Sequence, residues 1–343
     1  MILAILLLII KIIIGDNMFK NKITQAILLG ASLAVAATSF SAVAAQVPAG
    51  TKLAKVQEFV RGNGAEVASL DPHKTEGNPE SMIIRDLLEG LVNQDAEGNT
   101  IPGVATSWDT TDNKTFTFHL RKDAKWSNGD PVTAEDFVYS FKRAVDPATA
   151  SPYSWYLEMT NMVNAKEIIA GKADKETLGV KAIDAHTLEV KLTTAVPYFV
   201  MMMGHTTMKP VHKATVEKYG AKWTKPENFV GNGAFVVNKW VVNERIELVP
   251  NKNYWDNDHT VLTKVTYLPI ESQVAEMNRF LAGEIDMTYE LPNEHFKRLE
   301  KEHPESIVKP GNLCSYYYGL IMRSLHLMMC AFVKHCLMLL TVM

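Results

Sequence analysis

A mixed α/β fold in two interleaved lobes is what the sequence predicts. Three observations carry that expectation. Short strand patterns alternate with period two, capped helix patterns with 3.6-residue spacing fall between them, and the two kinds follow no single βαβ rhythm. The chain has 343 residues, enough for one large or two ordinary domains. Its net charge of −3 gives no basic field for nucleic acid. The hydrophobic content of 47% is raised by the two ends, and the middle has the composition of an ordinary soluble chain.

Residues 1–17, MILAILLLIIKIIIGDN, are apolar as far as Gly15 apart from Lys11 and precede a complete export signal. They read as an upstream extension, with translation starting at Met18. Residues 18–44 have the parts of a secretory signal peptide: Lys20 and Lys22, an apolar core from Ala26 to about Ala37, and a small-residue end at Ala42-Val43-Ala44. That core is short for the roughly 20 residues of a membrane span, so cleavage is expected, before Ala45 or before Gln46. No cysteine follows to carry a lipid.

In the mature body a first strand is expected at 57–61, with a Gly-Asn-Gly turn after it and a break at Asp71-Pro72. Ser81 is placed to cap a helix whose inner face carries Ile84, Leu87, Leu88 and Leu91. Residues 98–102 read as a turn. The stretch 111–144 is the most sharply punctuated: Phe116, Phe118 and Leu120 alternate with Thr115, Thr117 and His119, and Asn128-Gly129 turns the chain. Thr133, with Asp136 three residues on, then caps a helix with Phe137, Val138, Phe141 and Ala144 inward.

One helix is expected over 153–171, and a strand pair flanks the Asp-Ala-His turn at 184–186. Residues 197–203 are apolar, and 212–219 form a short helix. GNGAFVVNKW at 231–240 is a glycine-rich turn entering a strand; it lacks the Lys-Ser/Thr of a Walker loop and the spacing of a dinucleotide fingerprint. Further strands are expected at 245–249, 265–268 and 285–287, and helices at 272–281 and 293–302.

Catalytic and metal chemistry find little support. The histidines of the body are scattered singles, and Asp71-Pro72-His73, without a second ligand pair, reads as a surface turn rather than a metal site. Asp130, Glu135 and Asp136 are explained by turn and cap chemistry, and Ser127 has no nucleophile-elbow context. No catalytic residue, metal or cofactor is expected. The aromatic groups Tyr153-Ser154-Trp155-Tyr156 and 316–318 admit two readings, a half-buried sheet edge or the floor of a ligand cleft.

The stretch TFTFHLRKDAKWSNGDPVTAEDFVYSFKRAVDP closely resembles the signature region of the periplasmic peptide- and nickel-binding family of ABC importers. SLDPH, RDLLEGLV, PGVATSW and GNGAF agree in the same order, and ASPY, WVVNER, VTYLPI, GEIDMT and CSYYY resemble the oligopeptide-binding members most closely. The resemblance runs from Ala45 to about Leu320. It implies a receptor, not an enzyme: a periplasmic binding protein fold of two α/β lobes with an additional α+β domain, capturing short peptides for inner-membrane permease subunits driven by cytoplasmic ATPases. It further implies a monomer, one lobe from 45–88 and 212–313, the additional domain at 89–211, and a second lobe starting at 314–320.

By matching motif, the resemblance places Glu76, Asn78, Tyr153 and Tyr317 at the ligand. Residues 288–290 correspond to a segment that bonds ligand main chain, with Thr288 retained and Tyr289 and Glu290 standing where asparagines are usual. Cys314 resembles one half of a disulfide whose partner lies beyond this chain. A murein-peptide or nickel-chelate receptor of the same family is the alternative; a periplasmic enzyme or a membrane structural protein is the alternative of another class. From 321 to 343 the resemblance lapses into IMRSLHLMMCAFVKHCLMLLTVM, with Cys330 and Cys336. One restored base in a permitted back-translation yields NNEKPPFNDVRVRKALSYALDRD, which resembles the family's continuation, so 321–343 reads as an out-of-frame tail and most of the second lobe as missing.

Overall fold

The computed structural model describes residues 47–308. The signal segment, Cys314, Tyr317 and the 321–343 tail therefore lie outside the described residues. Two compact units divide the chain after Pro292.

Two four-stranded sheets organise the first unit. One has the order β1 (Glu58–Gly62), β10 (Lys264–Leu268), β9 (Arg245–Pro250), β8 (Phe235–Val241). In it β1 and β10 run parallel while the remaining pairs are antiparallel. The other, β4 (Ala105–Asp109), β5 (Thr115–Leu120), β7 (Thr187–Lys191), β6 (Val180–Asp184), is antiparallel throughout. A short hairpin joins β2 (Val92–Gln94) to β3 (Thr100–Pro102). Parallel pairing of β1 with β10 brings together strands some 200 residues apart, which no local pattern announces.

The alternation in β5 sets the core of the antiparallel sheet. Phe116, Phe118 and Leu120 are buried, and the first two lie opposite Val190 and Leu188 of β7. Phe199 closes over them, its ring centroid 4.7 Å from Phe116. Helix α2 (Ala134–Val145) packs on β6 and β7 and buries Phe137, Val138, Phe141 and Ala144. Its start follows the expected chemistry: the Asp136 carboxylate accepts from Thr133 N at 2.7 Å and from Thr133 Oγ1 at 3.0 Å.

Helix α1 (Asn78–Leu87) begins three residues before the cap expected at Ser81. Gly77 is the residue in extended conformation, and Pro79 with its fixed φ opens the first turn, leaving Ser81 inside the helix. The expected inward residues Ile84, Leu87, Leu88 and Leu91 are all fully buried, and Ile83 joins them. The GNG turn holds the C-terminal end of this helix. Gly233 N donates to Leu87 O at 2.9 Å, while Asn232 accepts from Glu89 N at 3.0 Å and donates to Glu89 O at 2.9 Å. A methyl group on Gly233 would lie 2.5 Å from Asp86 O and 2.6 Å from the Leu87 carbonyl carbon, backbone atoms that cannot swing aside. Gly233→Ala is therefore expected to lower the free energy of unfolding by about 1–3 kcal/mol in urea titrations.

Three further expectations shift. The turn placed at 98–102 lies earlier: Asp95 accepts from Glu97 N, Asn99 N and Asn99 Nδ2, so Thr100–Pro102 is free to pair as β3. The single helix over 153–171 is two, α3 (Ser154–Met159) and α4 (Ala165–Ile169), because Asn161 and Asn164 take positive φ of 59° and 65° between them. Residues 285–287 make only an isolated parallel bridge, Arg61 with Met287. Short helices α5 (Phe199–Met202) and α6 (Lys213–Tyr219) and helix α7 (Gln273–Leu281), capped by Ser272 Oγ on Ala275 N, complete the unit. The second unit's described part is α8 (Asn293–Glu302), on which Arg298 and Glu302 pair at 2.7 Å, followed by a turn of 3₁₀ helix at Pro304–Ser306. Among the described residues no helix is long and apolar enough to cross a membrane.

Candidate functional site

Three groups of expected ligand residues can be placed. Glu76 and Asn78 are exposed at the entrance to α1. The loop that carries them is fixed on both sides: Glu80 Oε1 accepts from Ala68 N at 3.0 Å, and Asp71 and His73 are sunk into the protein. Thr288 is half-buried and Glu290 exposed, and their segment runs along the end of β1. There Gly62 N donates to Met287 O at 3.0 Å, Asp286 N donates to Val60 O at 2.7 Å, and Tyr289 N donates to Glu276 Oε1 at 3.0 Å. The Tyr289 ring lies against Gly64, whose φ of +72° and missing side chain make room for it. Glu290 takes a hydrogen bond from Gln273 Nε2 at 2.7 Å, an acid where the resemblance leads one to expect an amide.

Tyr153 forms the third group. It is half-buried in a stack in which His205 lies between Tyr153 and Tyr156, with ring centroids 5.2 Å and 4.2 Å away. Trp155 flanks Tyr153 at 5.1 Å and is 48% exposed, and Tyr156 Oη donates to Met202 O at 3.1 Å. Burial, followed by the charges of Lys209 and Arg85, lowers the His205 pKa to about 4, so the ring stacks as neutral imidazole. Among the described residues no hydrogen bond or ring contact joins the three groups to one another.

The Asp71-Pro72-His73 expectation is corrected. It is neither a surface turn nor a metal site but the middle of a buried ionic cluster: Asp71 is 4% exposed and His73 fully buried. Arg143, from α2, grips Asp71 with two bonds, Nη1 to Oδ1 at 2.9 Å and Nη2 to Oδ2 at 2.5 Å, and Trp223 Nε1 donates to Oδ2 at 3.1 Å. Arg143 Nη1 also lies 2.7 Å from His73 Nδ1, which therefore accepts, and the proton sits on Nε2 facing the Thr207 and Lys209 backbone without a bond of good geometry. Burial, reinforced by the Arg143 charge, depresses the His73 pKa to about 3. Burial alone would raise that of Asp71, but the Arg143 hydrogen bonds and the neighbouring charges hold it below the ordinary value. The partners come from 70 to 152 positions away, so the Asp-Pro-His triplet by itself carries no sign of burial.

Asp130, Glu135 and Asp136 form no acid–base pair. Asp136 serves the helix cap, and Asp130 bonds Asn128 and approaches His212 Nε2 at 3.2 Å. Among the described residues no three His, Cys, Asp or Glu side chains converge as metal ligands.

This α/β arrangement has counterparts among known proteins. The profile of the family described as Bacterial extracellular solute-binding proteins, family 5 Middle, matches residues 99–327. The periplasmic oligopeptide-binding protein OppA of Salmonella typhimurium is 53% identical over 304 residues, covering 88% of this chain and 55% of the relative. The solved Escherichia coli murein tripeptide binding protein MppA superposes with a TM-score of 0.72 at 51% identity, over 74% of this chain and 50% of that one. Haemophilus influenzae OppA in complex with the peptide RPPGFSPFR gives a TM-score of 0.72 at 50% identity, over 73% and 49% of the two chains. The chain belongs to the family 5 extracellular solute-binding proteins. It spans about half the length of these relatives, which are binding proteins rather than enzymes.

Proposed function

We propose that this chain supplies the first part of a periplasmic receptor that captures short peptides and hands them to an inner-membrane ABC permease with cytoplasmic ATPases, without catalysing a reaction. The observation that carries this reading is the Glu76–Asn78 segment: its polar side chains are exposed, yet the loop is pinned by Glu80 on Ala68 and by Arg143 on Asp71. A pre-ordered acid of this kind meets a peptide's N-terminal ammonium at low ordering cost. Thr288, Glu290 and Tyr153, with Tyr317 beyond the described residues, are the other proposed ligand contacts.

The sheet of β1, β10, β9 and β8 supports assigning 45–88 and the part of 212–313 up to Pro292 to one lobe, residues 293–313 falling in the second unit, and the sheet of β4 to β7 supports the additional domain at 89–211. The signal-like 18–44 segment and the periplasmic relatives support export to the periplasm; a monomer is the assembly we assign. Cys314 is proposed to pair with a cysteine of the longer family chain.

Titration calorimetry on the chain carried through to the full length of its relatives tests the reading. Saturable heat is expected with short peptides of varied sequence, and Glu76→Gln should weaken binding roughly 10- to 100-fold, the value of one charge-assisted hydrogen bond. No heat with any peptide overturns it. The similarity to MppA favours a second reading, a receptor for murein peptides, which binding of murein tripeptide alone would select.

A further inference from the structure

At the far end of α1 from Asn78, about 12 Å along the helix axis, lies a cleft of about 410 Å³. Arg85, Asp86, Glu89, Lys209, Trp255 and Asp256 are among the residues lining it. Its volume falls within the roughly 300–1,000 Å³ usual for small-molecule sites.

The acids of this cleft already have partners. Glu89 accepts from Trp255 Nε1 at 2.7 Å and from Tyr254 Oη and Asn93 Nδ2, each at 2.8 Å. Asp86 accepts from Tyr267 Oη at 2.6 Å, and Asp256 lies 2.5 Å from His259 Nδ1. The cations do not. Arg85 makes one side-chain bond, to Gln94 Oε1 at 3.2 Å. Lys209 is only 2% exposed, and among the described residues its ammonium has neither a hydrogen bond nor an ion pair. Glu89 supplies an opposing charge but forms no ion pair with it. The Lys209 stem is confined as well, for a Cβ on Gly90 would stand 3.3 Å from its Cδ.

The Lys209 ammonium opens onto the cleft without a protein acceptor, so a ligand acceptor entering the cleft meets up to three N–H donors there. The unmet capacity of the cleft is thus donor capacity, and it calls for an anionic acceptor. Asp86, Glu89 and Asp256 also line the cleft, and their carboxylates repel a dianion and suit a ligand that carries a neutral or cationic group as well. We infer that this cleft binds a small organic monocarboxylate, most simply an α-amino acid, whose carboxylate is received by Lys209 Nζ and the Arg85 guanidinium. None of the proposed peptide contacts lines this cleft, although Lys209 and Arg85 act on His205, the ring that stacks on Tyr153.

Calorimetric titration of the whole chain with L-alanine and with propionate, using inorganic phosphate as the control, tests the assignment. L-alanine and propionate are expected to bind saturably and phosphate more weakly than either. Lys209→Met should lower L-alanine affinity by about 10-fold or more, as expected for a lost charge-assisted bond. Arg85→Gln, at the exposed rim, should lower it several-fold without disturbing the fold, so the test survives a Lys209 variant that does not fold. Glu76→Gln should leave L-alanine binding unchanged. Absence of saturable binding by both carboxylates, tighter binding of phosphate, unchanged affinity in Arg85→Gln, or loss in Glu76→Gln each overturns the assignment.

Discussion

Arg143→Met is expected to remove about 3–5 kcal/mol from the free energy of unfolding, the usual cost of stranding one partner of a buried ion pair. The methionine fills much of the arginine's volume, so the loss reports the missing guanidinium rather than a cavity. Asp71, 4% exposed, would keep only Trp223 Nε1 and the His73 backbone N–H as donors. His73 would lose the donor to its Nδ1. Urea denaturation at pH 7 measures the effect. Pairing the change with Asp71→Asn should recover roughly 1–2 kcal/mol, because a neutral amide needs no counter-charge. A loss under about 1 kcal/mol for Arg143→Met would show that water solvates Asp71, contrary to the burial described.

The second large effect is acid destabilisation through two neutral histidines, His73 fully buried and His205 half-buried. The pKa of His73 falls from 6.5 to about 3 and that of His205 to about 4. Below pH 6.5 the unfolded chain takes up a proton at each position that the folded chain refuses, so unfolding binds protons and stability drops as pH falls. Each histidine contributes a slope of up to about 1.4 kcal/mol per pH unit, spent by about pH 4 for His205 and continuing toward pH 3 for His73.

Asp71 acts lower on the scale. Its depressed pKa gives stability that is complete above the ordinary value of 3.8 and lost as pH falls through the lower folded value. Asp86 and Glu89, raised by burial, act with the opposite sign, so the comparison with variants is the decisive one. His205→Phe keeps a ring between Tyr153 and Tyr156 and should flatten unfolding free energy between pH 6.5 and 4 by close to one proton. Parallel pH profiles for the variant and the parent chain would refute a neutral, half-buried His205.

Local chemistry was legible wherever cause and effect lie within a few residues. The alternation at 115–120 gives a strand with Phe116 and Phe118 inward, and Thr133 with Asp136 starts α2 where the cap signal stands. Misplaced boundaries have equally local causes. Pro79 outweighs Ser81 at the start of α1, the Asp95 side chain gathers its turn ahead of Thr100, and two left-handed asparagines split the helix pattern after Tyr153.

The candidate site divides along the same line. Glu76, Asn78, Tyr153, Thr288 and Glu290 came from motif resemblance, and the fold assigns each a surface without joining the groups. Burial of Asp71 and His73, neutrality of His205, and the unpartnered ammonium of Lys209 had no signature in the sequence.

Taken by itself, the sequence determined the secondary-structure punctuation, the inward faces and the family, since periodicity, caps and motif order are short-range properties of a chain. Only the tertiary structure decided which polar residues are buried and which charges meet. Asp71 finds Arg143 across 72 positions and Trp223 across 152, and the energy of a charge depends on what surrounds it in space rather than along the chain.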